Sequence, residues 1–197
     1  MAIAKYPGLV LDSEILALFC QQKNACPGLQ LDEIQYLSAL KDYLISNNVD
    51  GHEHILAECY AILHIIGLIR ESKNGCKILY NDEMKKDYHK ILKKVPSFFN
   101  EHFADVLISE DKCVKLKLLM PAKNSRLFER TKLVKKVPYI DAAYQCNKHR
   151  IISTTKHVEN IKNENVCVEN LKDLNIEYQE INTVLKRIKK ENHCGNS

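Results

Sequence analysis

A chain of 197 residues with 45% hydrophobic and 27% charged content has the composition of one globular domain and is long enough to bury one core. Its longest apolar stretch, Ile55 to Ile69, is interrupted by Glu58, His64 and Gly67 and falls short of the roughly 20 apolar residues of a membrane span. The start, Met1 to Pro7, lacks the basic opening and apolar core of an export signal, so the expectation is a cytoplasmic protein with no membrane segment.

The first apolar run, Gly8-Leu9-Val10-Leu11-Asp12, is short and continuous, as in a strand buried on both faces of a parallel sheet. Glu14 to Lys23 sets Ile15, Leu18 and Phe19 on one helical face, and Pro27-Gly28 closes that element. Asp32 to Ser46 repeats the pattern with Ile34, Leu37, Leu40, Leu44 and Ile45, with Asp32 placed to cap it and Asn47-Asn48 to end it. His52 to Ile69 is hydrophobic nearly all round, which predicts an interior helix and singles out Glu58. Lys77 to Tyr80 reads as a short strand and Asp82 to Lys94 as a polar helix ending near Pro96. Ala104 to Ser109 reads as a strand, followed by a helix over Glu110 to Met120 whose acidic start suits the helix dipole.

Beyond a basic segment, Pro138 introduces a helix over Tyr139 to Cys146, and Arg150 to Thr154 is a β-branched strand. Val166 to Leu174 is ambiguous, Asn175 to Ile181 alternates like an edge strand, and Thr183 to Glu191 is an amphipathic helix. The alternation of strand and helix predicts an α/β fold, a three-layer α/β/α sandwich around a mostly parallel sheet. One domain is expected over 1–181, followed by a basic helix and polar tail over 182–197.

Eight cysteines are scattered with no Cys-x-x-Cys pair, which argues against a zinc ribbon or a thioredoxin-type site; Cys146 and His149 alone do not make a zinc centre. The six glycines form no phosphate-binding loop. Asp12, Glu58 and Asp141 each sit in apolar company, where a lone carboxylate is costly to keep ionised, so a shared cation is the economical explanation. In parallel sheets such groups gather at the carboxyl ends of strands. Oxygen ligands of this kind suit Mg²⁺ or Mn²⁺, with one or two carboxylates per ion plus water and a substrate phosphate.

Val10-Leu11-Asp12-Ser13, Ile55-Leu56-Ala57-Glu58-Cys59-Tyr60 and Ile140-Asp141-Ala142-Ala143-Tyr144, in that order, resemble the landmarks of the PIN domain family. These are an Asp ending the first strand, a Glu inside a helix after a helical hairpin, and an Asp opening a later helix. The resemblance covers about residues 8 to 181. It implies a PIN-like ribonuclease hydrolysing RNA phosphodiester bonds, with Asp12, Glu58 and Asp141 holding Mg²⁺ or Mn²⁺. Where the family carries Thr-x-Asp, this chain reads Ser153-Thr154-Thr155, so Thr155 takes the fourth acidic position, and Glu159 lies four residues on.

Cations cluster at Lys112, Lys115, Lys117, Lys123, Arg126, Arg130, Lys132, Lys135 and Lys136 and again at Lys186, Arg187, Lys189 and Lys190. Among them Arg126, Arg130, Lys135 and Lys136 are expected to hold an RNA backbone, although a solvated surface gives the same pattern. His54, one turn before Glu58, is either a proton shuttle or a polar first-turn residue. Arg150 and His157 imitate a spacing that another ribonuclease class needs on one helix, whereas Arg150 begins a strand.

Two rival readings accompany the nuclease. A degenerate PIN-like module would serve in RNA binding or protein assembly without cleavage, as the missing fourth acid suggests. A toxin-type nuclease would be held by an inhibitory protein, with Phe98, Phe99 and Phe103 as an apolar stretch for that partner. RNA against DNA, the target, and monomer against homodimer stay open.

Overall fold

The computed structural model describes residues 6–21, 31–71, 77–95, 97–109, 111–119 and 126–194. Cys26, the Pro27-Gly28 turn, Cys76 and Lys123 lie outside the described residues, as do the side chains of Phe98, Lys189, Lys190 and Cys194.

The described elements run β1 (Val10–Leu11), α1 (Ser13–Gln21), α2 (Glu33–Ser46), α3 (His52–Glu71), β2 (Ile78–Tyr80), α4 (Asp82–Leu92), α5 (Ser97–Ile108) and β3 (Cys113–Lys115). After two 3₁₀ turns, Arg126–Phe128 and Val134–Lys136, come α6 (Val137–Gln145), β4 (Arg150–Ser153), α7 (Thr155–Lys162), α8 (Asn165–Asp173), β5 (Glu177–Glu180) and α9 (Ile181–Cys194). β1 pairs in parallel with β4, β4 with β5, and β2 with β3. A parallel bridge between Leu9 and Ile78, with the Leu9 N–H on Lys77 O at 2.8 Å, joins the two ladders. The strands therefore lie in the order β3-β2-β1-β4-β5, all parallel, in an α/β fold.

Gly8 makes the β1–β2 approach feasible. A Cβ there would meet Lys77 O at 2.6 Å and the Leu79 side chain at 2.8 Å, so any larger residue would push the ladders apart. The chain leaves β1 toward β2 on one side and returns to β4 on the other. The gap between the carboxyl ends of β1 and β4 is thus the topological switch point, where parallel sheets form their ligand crevice.

Local side-chain caps set the starts of α2 and α4. Asp32 caps α2 through a reciprocal box, its carboxylate accepting from Gln35 N at 2.8 Å while Gln35 Oε1 accepts from Asp32 N at 3.1 Å. Asn81 caps α4 at Met84 N and donates to Pro138 O at 2.8 Å, tying α4 to α6. The edge strand is β5, and the ambiguous segment before it is helix α8. Far from being a free tail, α9 buries Ile181, Val184 and Leu185, and its Arg187 reaches Gln179 Oε1 at 3.2 Å.

One expectation is reversed. Ala104 to Ile108 is the last part of helix α5, and the strand falls at Cys113–Lys115, inside the segment expected to be helical. A short apolar run has no period of its own; Phe99, Phe103, Val106 and Leu107, all buried, complete a helical face only when read together. Phe99 stacks on Phe19 with ring centroids 4.1 Å apart, and Phe103 meets Tyr88 edge-on. Phe99 and Phe103 are therefore core residues and present no surface to a partner. Helix α3 is long and apolar enough by composition to cross a membrane, yet 44% of that window is buried inside the fold.

Candidate functional site at the carboxyl edge

Asp12 follows β1 directly, and its N–H bonds to Ile152 O at 2.8 Å, continuing the β1–β4 ladder by one residue. Its carboxylate has no solvent exposure. The oxygen Oδ1 is crowded: it accepts from Lys136 Nζ at 2.6 Å, from Glu14 N at 3.1 Å and from Ser13 Oγ at 3.3 Å, so Asp12 also caps α1. The other oxygen, Oδ2, has no hydrogen-bond partner; His157 Nε2 stands 3.4 Å away without hydrogen-bonding alignment.

Lys136 ends the second 3₁₀ turn and is the N-cap of α6. Its ammonium also touches Ser13 Oγ and Glu14 Oε1, each at 3.1 Å, and lies 5.3 Å from the centre of the Tyr139 ring. Burial alone would lower its pKa, but Asp12 and Glu14 outweigh burial and raise it above the ordinary lysine value. Lys136 is therefore a fixed internal cation, and of the four residues expected to hold an RNA backbone it alone is withdrawn from the surface. Arg126, Arg130 and Lys135 are exposed.

Glu58 is 3% exposed, and the structure supplies the reason it can be there: its Oε1 accepts the Thr155 N–H at 2.6 Å, at the first residue of α7. Thr154, the N-cap of α7, makes no side-chain cap bond, so a carboxylate from α3 satisfies that helix start across the fold. Glu58 and Thr155 thus do meet, through the backbone amide; the Thr155 hydroxyl is buried with no partner. His54 Nε2 lies 4.0 Å from Glu58 Oε1 and is about half exposed. Glu159 is exposed on α7.

Asp141 is elsewhere. The helix opens at Val137 with Pro138 in its first turn, so Asp141 falls in the second turn, a rise of about 7 Å beyond Lys136. The helix continues to Cys146, which bridges Tyr6 near the amino end of β1. Asp141 Oδ1 accepts from Leu119 N at 3.1 Å and Oδ2 from Gln145 Nε2 at 2.9 Å, while the same Gln145 amide bonds Lys117 O at 2.8 Å. Among the described residues, no three His, Cys, Asp or Glu side chains are grouped so as to hold one metal ion.

Sequence reading did not single out Lys136 as the partner of Asp12, nor Ser153, Glu14 and His157 as its neighbours. Residues alternate faces along a strand, so Asp12, Ser153 and Tyr178, in parallel register, share one face of the sheet. Ser153 Oγ, Tyr178 OH and His157 Nε2 are, with Asp12 Oδ2 and Thr155 Oγ1, buried without hydrogen-bond partners. Such orphans are uncommon in folded proteins and cost about 1–3 kcal/mol each unless water or a ligand reaches them. Burial lowers the His157 pKa, and Lys136 adds to that against Asp12 and Glu14, so the imidazole is neutral at neutral pH.

His157 opens onto a cavity of about 400 Å³ that Glu14, Asp50, His54, Glu58 and Lys156 also line. Around the crevice, the carboxylates of Asp12, Glu14, Asp50 and Glu58 outnumber the ammoniums of Lys136 and Lys156. Comparison with known proteins adds no assignment: no family model, no curated protein and no solved structure matches this chain.

Proposed function

We propose that this chain is a PIN-like, metal-dependent ribonuclease that hydrolyses RNA phosphodiester bonds at the β1–β4 crevice, with Asp12 and Glu58 as its essential carboxylates. The observation carrying this reading is Asp12 itself, a fully buried carboxylate at the switch point with one oxygen neutralised and the other unfilled. Oxygen donors of the kind that hold one hydrated Mg²⁺ or Mn²⁺ are present: Asp12 Oδ2 and Thr155 Oγ1 are orphaned oxygens, Glu58 bonds the Thr155 amide and lines the acidic cavity, and His157, beside Asp12, lines it too. When bound, such an ion supplies Lewis acidity and a water of lowered pKa. Lys136 holds Asp12 in position and Thr155 N–H holds Glu58, so both carboxylates are oriented before substrate arrives. Lys156 on the rim, with Arg126, Arg130 and Lys135, meets the RNA backbone. Among the described residues, the free cysteines Cys59, Cys113, Cys146 and Cys167 suit a reducing, cytoplasmic setting.

The test is cleavage of a single-stranded RNA with Mn²⁺, alongside calorimetric Mn²⁺ titration. Asp12→Asn and Glu58→Gln abolish both cleavage and uptake, whereas Asp141→Asn retains both. An unchanged rate in Asp12→Asn removes the proposal.

One contact favours a second reading, a PIN-like RNA-binding module without cleavage. The Lys136 ammonium, 2.6 Å from Asp12, already supplies a cation to that carboxylate, and Asp141 is engaged elsewhere. This module takes up no Mn²⁺, and its RNA affinity falls when Arg126, Arg130 or Lys135 is replaced by alanine.

A further inference from the structure

Beside the crevice lies a second, larger and open cavity of about 970 Å³, bordered by α2, α3, α9 and the end of β5. Its volume is at the upper end of the range for small-ligand pockets. Leu37, Leu56 and Leu185 form apolar walls, and the Tyr60 ring, 42% exposed, stands at its side. Tyr60 runs nearly parallel to His64 on the next turn of α3, with ring centroids 5.8 Å apart and 14° between planes. Lys41 and Lys186, both exposed, line the cavity too. Two acids line it as well: Glu53, and Glu180, whose carboxylate lies 3.7 Å from Lys162. His54 lines both this cavity and the acidic one, so the two are neighbours around the first turns of α3.

We infer that this cavity is a base-binding subsite for single-stranded RNA, in which a nucleobase near the bond to be cut stacks on Tyr60 while its phosphates lie toward Lys41 and Lys186. The inference rests on the nuclease or RNA-binding reading of the adjoining crevice. Three features commit it to this occupant. An aromatic face beside apolar walls receives any base, because every base has a π-face. Exposed lysines among the lining residues, Lys41 and Lys186, suit a strand that brings charge with it. Continuity through His54 gives a strand leaving the acidic crevice this cavity as its next stop. A duplex keeps its bases stacked and does not enter.

The experiment measures fluorescence anisotropy of a labelled single-stranded RNA of about 12 nucleotides, in EDTA so that binding is separated from cleavage. Tyr60→Ala weakens binding about tenfold, Tyr60→Phe retains it, and the affinity for a blunt duplex of the same length does not change. Unaltered single-strand affinity in Tyr60→Ala, with circular dichroism showing a native fold, overturns the inference. Failure of the wild-type chain to bind the single strand overturns it too. If Tyr60→Ala binds normally while Asp12→Asn still abolishes Mn²⁺-dependent cleavage, the subsite is lost and the nuclease stands. If the Tyr60 effect appears in a chain that never cleaves, the nuclease is lost and the subsite stands. A second copy of the chain seated in the cavity would give a concentration-dependent dimer in sedimentation, broken by Tyr60→Ala with RNA affinity untouched; that result also overturns the inference.

Discussion

Asp12 and Asp141 are both carboxylates with no exposed surface, yet they solve the cost of burial in opposite ways. Asp141 has a donor on each oxygen, a backbone amide and a side-chain amide, and the latter reaches on to Lys117 O. Both oxygens are engaged, and the group works as a staple between α6 and the segment after β3. Asp12 packs an ammonium, an amide and a hydroxyl onto one oxygen and leaves the second empty beside a neutral imidazole. A buried charge with unused capacity at the carboxyl edge of a parallel sheet is what distinguishes a site from a strut.

The contrast breaks most visibly at Lys136. Replacing it by methionine keeps the volume but leaves Asp12 buried without its ammonium, and truncating one member of a buried ion pair costs about 3–5 kcal/mol. Urea denaturation of Lys136→Met therefore has a much lower midpoint than wild type. Adding Mn²⁺ sharpens the result, because an ion that binds only the folded chain restores stability, by about 2.7 kcal/mol at a hundredfold excess over Kd. Recovery with Mn²⁺ supports a cation site at Asp12; no recovery supports the module in which the lysine is the permanent counterion. A wild-type midpoint for Lys136→Met contradicts the pairing itself.

Asp141→Asn gives a smaller effect of a different kind. The substituted amide can accept one of the two hydrogen bonds and must set its own N–H₂ against a donor, for a loss of about 1–3 kcal/mol. Mn²⁺ uptake and any RNA cleavage are expected to be unchanged, since the carboxylate faces Leu119 and Gln145. A rate that falls as far as in Asp12→Asn would return Asp141 to the site and favour the three-acid arrangement implied by the resemblance.

The legibility of these two residues in the sequence differed for a physical reason. A continuous apolar run ending in Asp fixes both the strand and the place of its last side chain, so Asp12 at the sheet's carboxyl edge was readable from Leu9-Val10-Leu11-Asp12 alone. Asp141 was placed by where its helix begins, and helix starts are loosely specified. Proline belongs to the first turn, which puts the start at Val137 and Asp141 a turn deeper. Glu58 was legible as an anomaly inside an apolar helix, but its partner was not, because a tertiary cap on α7 joins residues 97 positions apart. The exchange of strand and helix around Ala104 to Lys115 has a similar origin. Four apolar residues, Ala104, Val106, Leu107 and Ile108, carry no period, and the aromatic contacts of Phe99 and Phe103 that decide the matter are long-range. Order of strands and pairing of Lys136 with Asp12 are likewise products of packing, invisible to any local window.

The smallest expected effect is at Thr155, whose two polar groups divide the work. Its amide holds Glu58, and this bond survives any substitution except proline. Its hydroxyl is buried with no partner, a cost that alanine removes along with the oxygen. Thr155→Ala is therefore expected to be neutral or to raise stability by about 1 kcal/mol, in contrast to the losses at Lys136 and Asp141. If the hydroxyl instead orients water beside Asp12 Oδ2, the same substitution slows Mn²⁺-dependent cleavage while leaving the unfolding midpoint at or above wild type. That separation of activity from stability is the signature of an oxygen kept for function at a cost to the fold. A joint fall in both would assign Thr155 to the scaffold of α7, alongside the amide that already serves it.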